Sequence, residues 1–236
     1  MNPNVSSTTT ESAEADMACV VAVSGASGRT GYRVAEELIA AGDHPRLLLR
    51  PGSIVPETLK ACDQCRFELD DQQALDAALD GVDALVIATG ARASVDLTAP
   101  LRVDAWGVEQ QIRSCCRVGV QRVVLVSSLC AGRWVHPLNL FGLILVWKRV
   151  GERALERSTL DWTVLRPGGL TEREEGLEQY GIRWSGPDIQ QSNSIPRRLV
   201  ARCCVEALRT PAAIGRIIEV TSSPEQEQRS MQVALQ

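Results

Sequence analysis

Apolar residues recur along this 236-residue chain in two alternating rhythms. Short apolar, β-branched runs lie at 18–24, 46–50, 65–69, 84–88, 122–126, 161–165 and 216–220. Between them, apolar positions return every three or four residues. They do so at Val34, Leu38 and Ile39, at Leu75, Ala78 and Leu79, and again across 101–118, 143–157 and 195–209. A short apolar run suits a strand buried on both faces, and the three-to-four spacing suits a helix with one apolar stripe. The punctuation agrees. Gly42 and Gly119 stand just past two helical stretches, Pro51-Gly52 stops the second strand, Asp70-Asp71 caps the next helix, and Pro196 sits near the first turn of the last. Repeated strand–helix alternation predicts right-handed crossovers and a doubly wound parallel α/β sheet, in strand order 3-2-1-4-5-6. The chain divides into a polar tail over 1–16, expected to be disordered, one α/β domain over 17–222, and a second polar tail over 223–236. Within the domain, composition turns polar over 171–192, and 171–209 reads as small C-terminal substrate-side elements.

The first strand runs into Gly25-Ala26-Ser27-Gly28-Arg29-Thr30-Gly31, three glycines at G-x-x-G-x-x-G spacing with a helix expected from about 29 to 41. Gly25 permits the turn, Gly28 lets backbone approach a pyrophosphate, and Gly31 lets the helix pack close to the strand. N–H groups at the helix start, with the positive end of its dipole, can hold phosphates. This is the context in which the fingerprint marks an NAD(P)-binding Rossmann fold. The second strand ends at Arg50, where an NAD-preferring fold usually carries Asp or Glu for the ribose hydroxyls. A guanidinium suits a 2′-phosphate, and Arg29 can approach the same phosphate, so NADP(H) is expected over NAD(H). Two solvated surface arginines are the alternative. Ser27, Thr30, Glu68 and Leu69 after the third strand, and Thr89-Gly90-Ala91 after the fourth, complete the strand-edge residues expected to bind the cofactor.

Charge and cysteine content narrow the partners. A net charge of −4 and a pI near 5.4 argue against a nucleic-acid surface. The tail lacks secretory and Arg-rich transit character, so the eight cysteines are expected to be thiols in a reducing, cytoplasmic compartment. Cys62-x-x-Cys65 has redox or metal spacing without a second pair nearby, and no metal is expected. The apolar stretch 138–150 is too short to span a membrane and carries Lys148.

Four segments carry a family likeness: Gly25-Ala-Ser-Gly-Arg-Thr-Gly31, Gly81-Val-Asp-Ala-Leu-Val86, Val126-Ser-Ser128 and Leu165-Arg-Pro-Gly-Gly-Leu170. With them the chain resembles the atypical branch of the short-chain dehydrogenase/reductase superfamily across about 18–222. Leu138-Asn-Leu-Phe-Gly-Leu143 with Lys148 is similar to a plant and cyanobacterial group related to the redox-responsive NADP-binding subunit of the chloroplast inner-envelope import machinery. Flavin/biliverdin reductases and NmrA-like regulators are more distant relatives. The resemblance implies that Ser128 stands at the catalytic-serine position and that Lys148 stands where the superfamily's lysine holds the nicotinamide ribose. It also implies that Ser127 and the Pro167-Gly168-Gly169 loop contact cofactor.

The superfamily's proton-donating Tyr lies four residues before the Lys, and here that position is Ile144. The two tyrosines, Tyr32 and Tyr180, lie elsewhere in the chain. His136 is the nearest titratable substitute in sequence, although a structural or exposed histidine is the commoner role. Three functions stay open: an NADPH-dependent reductase of an unknown small molecule, protonated by water or another side chain; a noncatalytic NADP(H)-responsive sensor or scaffold acting on a protein partner; and a small-molecule binding module that keeps the fold for stability alone.

Overall fold

The computed structural model describes residues 18–68, 70–90, 98–133, 137–140 and 143–236. The first half alternates as the apolar rhythm predicts: β1 (Val20–Ser24), α1 (Gly31–Ala40), β2 (His44–Leu49), β3 (Asp63–Arg66), α2 (Gln72–Leu79) and β4 (Ala84–Ile87). A π-helical stretch, Leu101–Trp106, then runs directly into α3 (Gly107–Val118), which is followed by β5 (Arg122–Val126), α4 (Ile144–Glu156) and β6 (Asp161–Pro167). The remainder is β7 (Gly169–Thr171), β8 (Gly181–Ser185), β9 (Ser194–Pro196), α5 (Arg197–Arg209), β10 (Arg216–Ser223) and a short α6 (Met231–Ala234).

Eight strands form one sheet in the order β3-β2-β1-β4-β5-β6-β10-β8, so the expected order 3-2-1-4-5-6 is present and extended by two strands. Every neighbouring pair is parallel except β10 with β8. The strands read as continuous apolar runs because helices cover both faces. Side chains alternate between two cores accordingly. Val21, Val23, Val86 and Val124 pack on the face that carries α1 and α5. Ala22, Leu85, Ile87, Val123 and Leu125 pack on the face that carries α2 and α3.

Turn chemistry sets the boundaries. Asp71 caps α2, its Oδ1 accepting the Ala74 N–H at 3.0 Å. Gly42 and Gly119 take the left-handed conformation just past α1 and α3, at φ +87° in both.

Several boundaries differ from the sequence expectation, and four of the differences have a plain physical reason. β3 lies at Asp63–Arg66 rather than 65–69, because pairing with Arg46–Leu49 and an Arg46 Nε–Asp63 Oδ2 contact of 2.6 Å set its register, whereas polar Asp63 and Gln64 read as loop. α1 starts at Gly31 rather than about 29, since the glycine turn occupies the residues before it. α5 starts at Arg197, with Pro196 completing β9 instead of the first helical turn. The polar stretch after 171 is not a loop throughout: β8 pairs antiparallel with β10 at the sheet edge, and β7 with β9 forms a second, two-stranded sheet. Beyond 223, Met231 is fully buried and Trp184 Nε1 donates to the Arg229 carbonyl at 3.0 Å. The 1–16 segment, like Leu69, Ala91 and His136, lies outside the described residues.

Candidate functional site

The carboxyl ends of β1, β4, β5 and β6 lie side by side and carry the glycine turn, Thr89-Gly90, Ser127-Ser128 and Pro167, whereas Arg50 and Glu68 follow β2 and β3. At β1 the glycine turn is closed by backbone. Gly25 sits at φ +80°, and a Cβ on it would stand 2.9 Å from the backbone of Ala88 and Thr89. A Cβ on Gly31 would overlap the Gly25 carbonyl, so α1 begins against the strand end with no room for a side chain. α1 thus starts at the strand end, and of its first-turn N–H groups that of Tyr32 donates to the Gly28 carbonyl at 3.1 Å.

At β4, Thr89 carries the site's orphan. Its Oγ1 is buried and has no hydrogen-bond partner among the described residues. The same small recess is lined by Asp104, Ser127 and Lys148. Lys148 Nζ lies 2.8 Å from Asp104 Oδ1, with side-chain exposures of 14% and 1%, and the space a Cβ would fill on Gly90 is 3.7 Å from Nζ.

The two serines after β5 divide their roles. Ser127 is buried and donates through Oγ to Glu152 Oε1 at 2.5 Å, while its N–H donates to the Leu165 carbonyl at 2.8 Å. Ser128 is half-buried and donates to the Leu129 carbonyl at 3.1 Å. Ile144, at the start of α4, is half-buried against Leu129, Cys130 and Leu145 and presents an apolar surface.

Sequence reasoning missed the support beneath these residues. Glu152 is fully buried and takes two parallel bonds from Arg166, Nε to Oε1 at 2.9 Å and Nη2 to Oε2 at 2.7 Å, with Arg149 adding a third at 3.0 Å. Burial works against the Arg166 charge, but its hydrogen bonds to Glu152 outweigh that and raise its pKa. A second buried carboxylate, Glu219 on β10, accepts the backbone N–H groups of Asp188, Ile189 and Gln190 at 2.7, 3.1 and 2.7 Å. This fixes the 188–190 turn against the sheet. A readable signal did exist: Lys148 and Glu152 are spaced i, i+4 and share one face of α4, and Arg166 ends the next strand.

Around the glycine turn the polar contacts are charged, with Arg29 and Glu172 exposed and Arg33 and Arg197 largely buried. Glu172 lies 2.9 Å from Arg29 Nη1, 2.8 Å from Arg197 Nε and 3.2 Å from Arg33 Nη2. Arg197 Nη1 also donates to Thr30 Oγ1 at 3.0 Å. Partial burial works against ionisation of Glu172, but Arg197, Arg33 and Arg29 outweigh it and hold its pKa below the usual carboxylate value. Arg29 is therefore engaged with Glu172, whereas Arg50 is exposed and its guanidinium has no partner among the described residues.

Of the other predicted positions, Glu68 is exposed beyond the end of β3 and Ser27 is half-buried in the turn. Pro167 is buried, and Gly168 and Gly169 donate their N–H groups to the carbonyls of Val220 and Asn193, at 3.0 and 2.9 Å. All eight cysteines are thiols, and burial raises the pKa of both Cys62 and Cys65. Among the described residues no cluster fit for a metal occurs, and no helix is long and apolar enough to cross a membrane.

The donor set fits a dinucleotide. The glycine turn is a backbone cradle that excludes side chains, and beyond it one small recess holds both the unpartnered Thr89 hydroxyl and the Lys148 ammonium. Comparison with known proteins agrees. A family model described as NAD(P)H-binding matches residues 25–211. An uncharacterized chloroplastic protein of Arabidopsis thaliana is 30% identical, the match covering 89% of this chain and 79% of that protein. Sanguinarine reductase of Eschscholzia californica is 28% identical over 90% of this chain and 92% of its own. The structure of a Bacillus halodurans protein assigned to the NAD-dependent epimerase/dehydratases superposes with a TM-score of 0.80, at 26% identity, over 92% of this chain and 98% of that one. With glycine turn, strand order and family match in agreement, this chain belongs to the NAD(P)H-binding family of Rossmann-fold, oxidoreductase-like proteins, within the atypical short-chain dehydrogenase/reductase branch.

Proposed function

We propose that the protein is an NADP(H)-dependent reductase that works without a tyrosine proton donor. The observation that carries this reading is the make-up of the strand-edge crevice. Backbone and cations lie at the glycine turn, Lys148 lies at the far end, and apolar Ile144 stands where a proton would be supplied. In this reading Gly25 to Gly31 hold the pyrophosphate, Arg50 takes the 2′-phosphate, Thr89 Oγ1 gains the partner it lacks, and Lys148 holds the nicotinamide-side ribose. Pro167, Gly168 and Gly169 bound the nicotinamide end. Once bound, the reduced cofactor supplies a hydride to whatever lies over its ring. The residues bind and orient, and Ser128 is the hydroxyl available to an acceptor.

With no phenol at Ile144, the favoured acceptors take hydride without enzymic protonation, such as flavins or quinones. General acid catalysis is typically worth about 10²–10⁴-fold, so ordinary ketones and aldehydes should be poor substrates. The reductase among the relatives favours an enzyme over a sensor. The same apolar Ile144 favours the second reading, a protein that binds NADP(H) and signals its redox state to a partner. A stopped-flow screen of NADPH oxidation with flavin, quinone and carbonyl acceptors separates the two, repeated with Ser128→Ala and His136→Ala. Flavin or quinone turnover is the expected result. Tight NADPH binding with no turnover on any acceptor would replace the reductase by the sensor. Rapid carbonyl reduction that survives both substitutions would place the active site elsewhere.

A further inference from the structure

We infer that Asp104 is a positioning residue for the nicotinamide-ribose end of the site, acting through Lys148, and that the π-helical turn exists to deliver it. The inference rests on the reading that Lys148 holds that ribose.

Three observations converge on Asp104. It lies within the six-residue π-helical stretch Leu101–Trp106, and π-helical turns inside helices occur frequently at functional sites. Its backbone carbonyl lies against α4 at Gly151, where a Cβ would overlap it, so only glycine allows the turn to seat this closely. Its side chain, 1% exposed, reaches Lys148 Nζ at 2.8 Å, one helical turn before Gly151. One residue thus touches α4 twice, by backbone at Gly151 and by carboxylate at Lys148.

The chemistry gives that pair a direction. Lys148 is a flexible four-carbon side chain, one of two lysines in the chain, and its ammonium has three donors. Oδ1 of Asp104 engages one donor and fixes the ammonium beside Gly90 in the recess that also holds Thr89. Two donors of the ammonium remain for a ligand, a number suited to vicinal ribose hydroxyls. The buried carboxylate also compensates a cation that is itself mostly removed from water. Without Asp104, Lys148 retains its charge but loses its fixed orientation, so the loss falls on the ligand half that Lys148 meets.

The test compares two ligands on the full chain by calorimetric titration. NADPH carries the nicotinamide ribose, and 2′,5′-ADP carries only the adenosine half and its phosphates. Wild type, Asp104→Asn, Lys148→Gln and the double variant are titrated with both. Asp104→Asn keeps the shape of the residue, and Asp104→Glu keeps its charge should the Asn variant fail to fold. The expected result is NADPH affinity lowered on the order of tenfold by either substitution, with 2′,5′-ADP affinity unchanged and the double variant no weaker than Lys148→Gln. NADPH affinity within twofold of wild type in Asp104→Asn would overturn the inference. So would equal weakening of both ligands, or additive effects in the double variant. A wild type that binds neither ligand would defeat the nucleotide reading itself, and the inference with it. A wild type that binds NADPH while Lys148→Gln has no effect would remove the ribose role of Lys148, and Asp104's with it, while leaving NADP(H) binding intact.

Discussion

The two ends of the crevice are held by opposite kinds of polar contact. Near the glycine turn, Glu172 joins Arg29, Arg33 and Arg197, with the Glu172 side chain 47% exposed. Beneath β5 and β6, Glu152 joins Ser127, Arg166 and Arg149 and is fully buried. The Arg29–Glu172 pair is exposed on both sides, so it is screened and worth about 0–1 kcal/mol, whereas breaking the fully buried Glu152–Arg166 pair leaves a stranded charge and costs about 3–5 kcal/mol. Arg29 is therefore free to exchange partners, while Arg33 and Arg197, at 5% and 13% exposed, stay with the scaffold, as does the Glu152 cluster. On the proposed reading, the adaptable contact lies at the phosphate end and the rigid one at the nicotinamide end.

The largest effect should come from the buried side. Glu152→Ala leaves Arg166, which is 2% exposed, with only a 3.4 Å contact to the exposed Asp188, and is expected to destabilise the fold by about 3–5 kcal/mol in urea unfolding. A loss under about 1 kcal/mol would erase the contrast between the two ends. Next in size is Gly25→Ala. It forces an alanine to φ +80° against the Ala88–Thr89 backbone, and such strain costs about 1–3 kcal/mol. Nucleotide affinity should fall with it, as titration of the variant would show, and unaltered affinity would mean the turn is not the phosphate cradle. Arg50→Ala should weaken NADPH by about 1.5–3 kcal/mol and leave NADH unchanged, because only the former meets the guanidinium at its 2′-phosphate. Equal weakening of both would assign Arg50 a general role.

The smallest effects belong to the exposed cluster. Glu172→Gln should change stability by less than about 1 kcal/mol while releasing Arg29 for a phosphate, seen as NADPH affinity equal to or above wild type. Lower affinity would show that Glu172 supports the turn instead of competing for it. The pH dependence follows from the same contacts. Burial works against ionisation, but Arg197, Arg33 and Arg29 at Glu172, and Arg198 (Nε 3.0 Å away) and Arg33 at Glu174, outweigh it and hold both carboxyls below their ordinary value of 4.5, so the unfolded chain binds more protons in that range than the folded one. The tie is complete above that value and is lost as pH falls through the lower folded values. Hydrogen exchange across 171–175 should therefore rise on acidification, modestly because both carboxylates are well solvated. Exchange that rises instead towards alkaline pH would contradict the assignment.

Much of this was legible in the chain, for physical reasons that differ by region. The parallel strands are buried on both faces, and their runs of Val, Leu, Ile and Ala announce that directly. The glycine turn is legible because backbone at Gly25 and Gly31 leaves no room for side chains. β8 was hidden because an edge strand needs few apolar residues, and Gly181–Ser185 carries Arg183 and Ser185 among them. Glu152 was hidden because a buried acid looks like a surface acid until its arginine, fourteen residues away on another element, is known. Asp104 was hidden for a related reason: a π-helical turn shifts the side-chain period, so α-helical spacing does not point it at Lys148.

The central claim is that the strand-edge crevice takes NADP(H), with the exposed end reading its extra phosphate. Calorimetric titration of the wild-type protein with NADPH and NADH, side by side at low ionic strength, tests it most directly. Tighter binding of NADPH by about tenfold or more is the predicted result, corresponding to one charge-assisted phosphate contact. Equal affinities for the two nucleotides, or no heat from either, would contradict it.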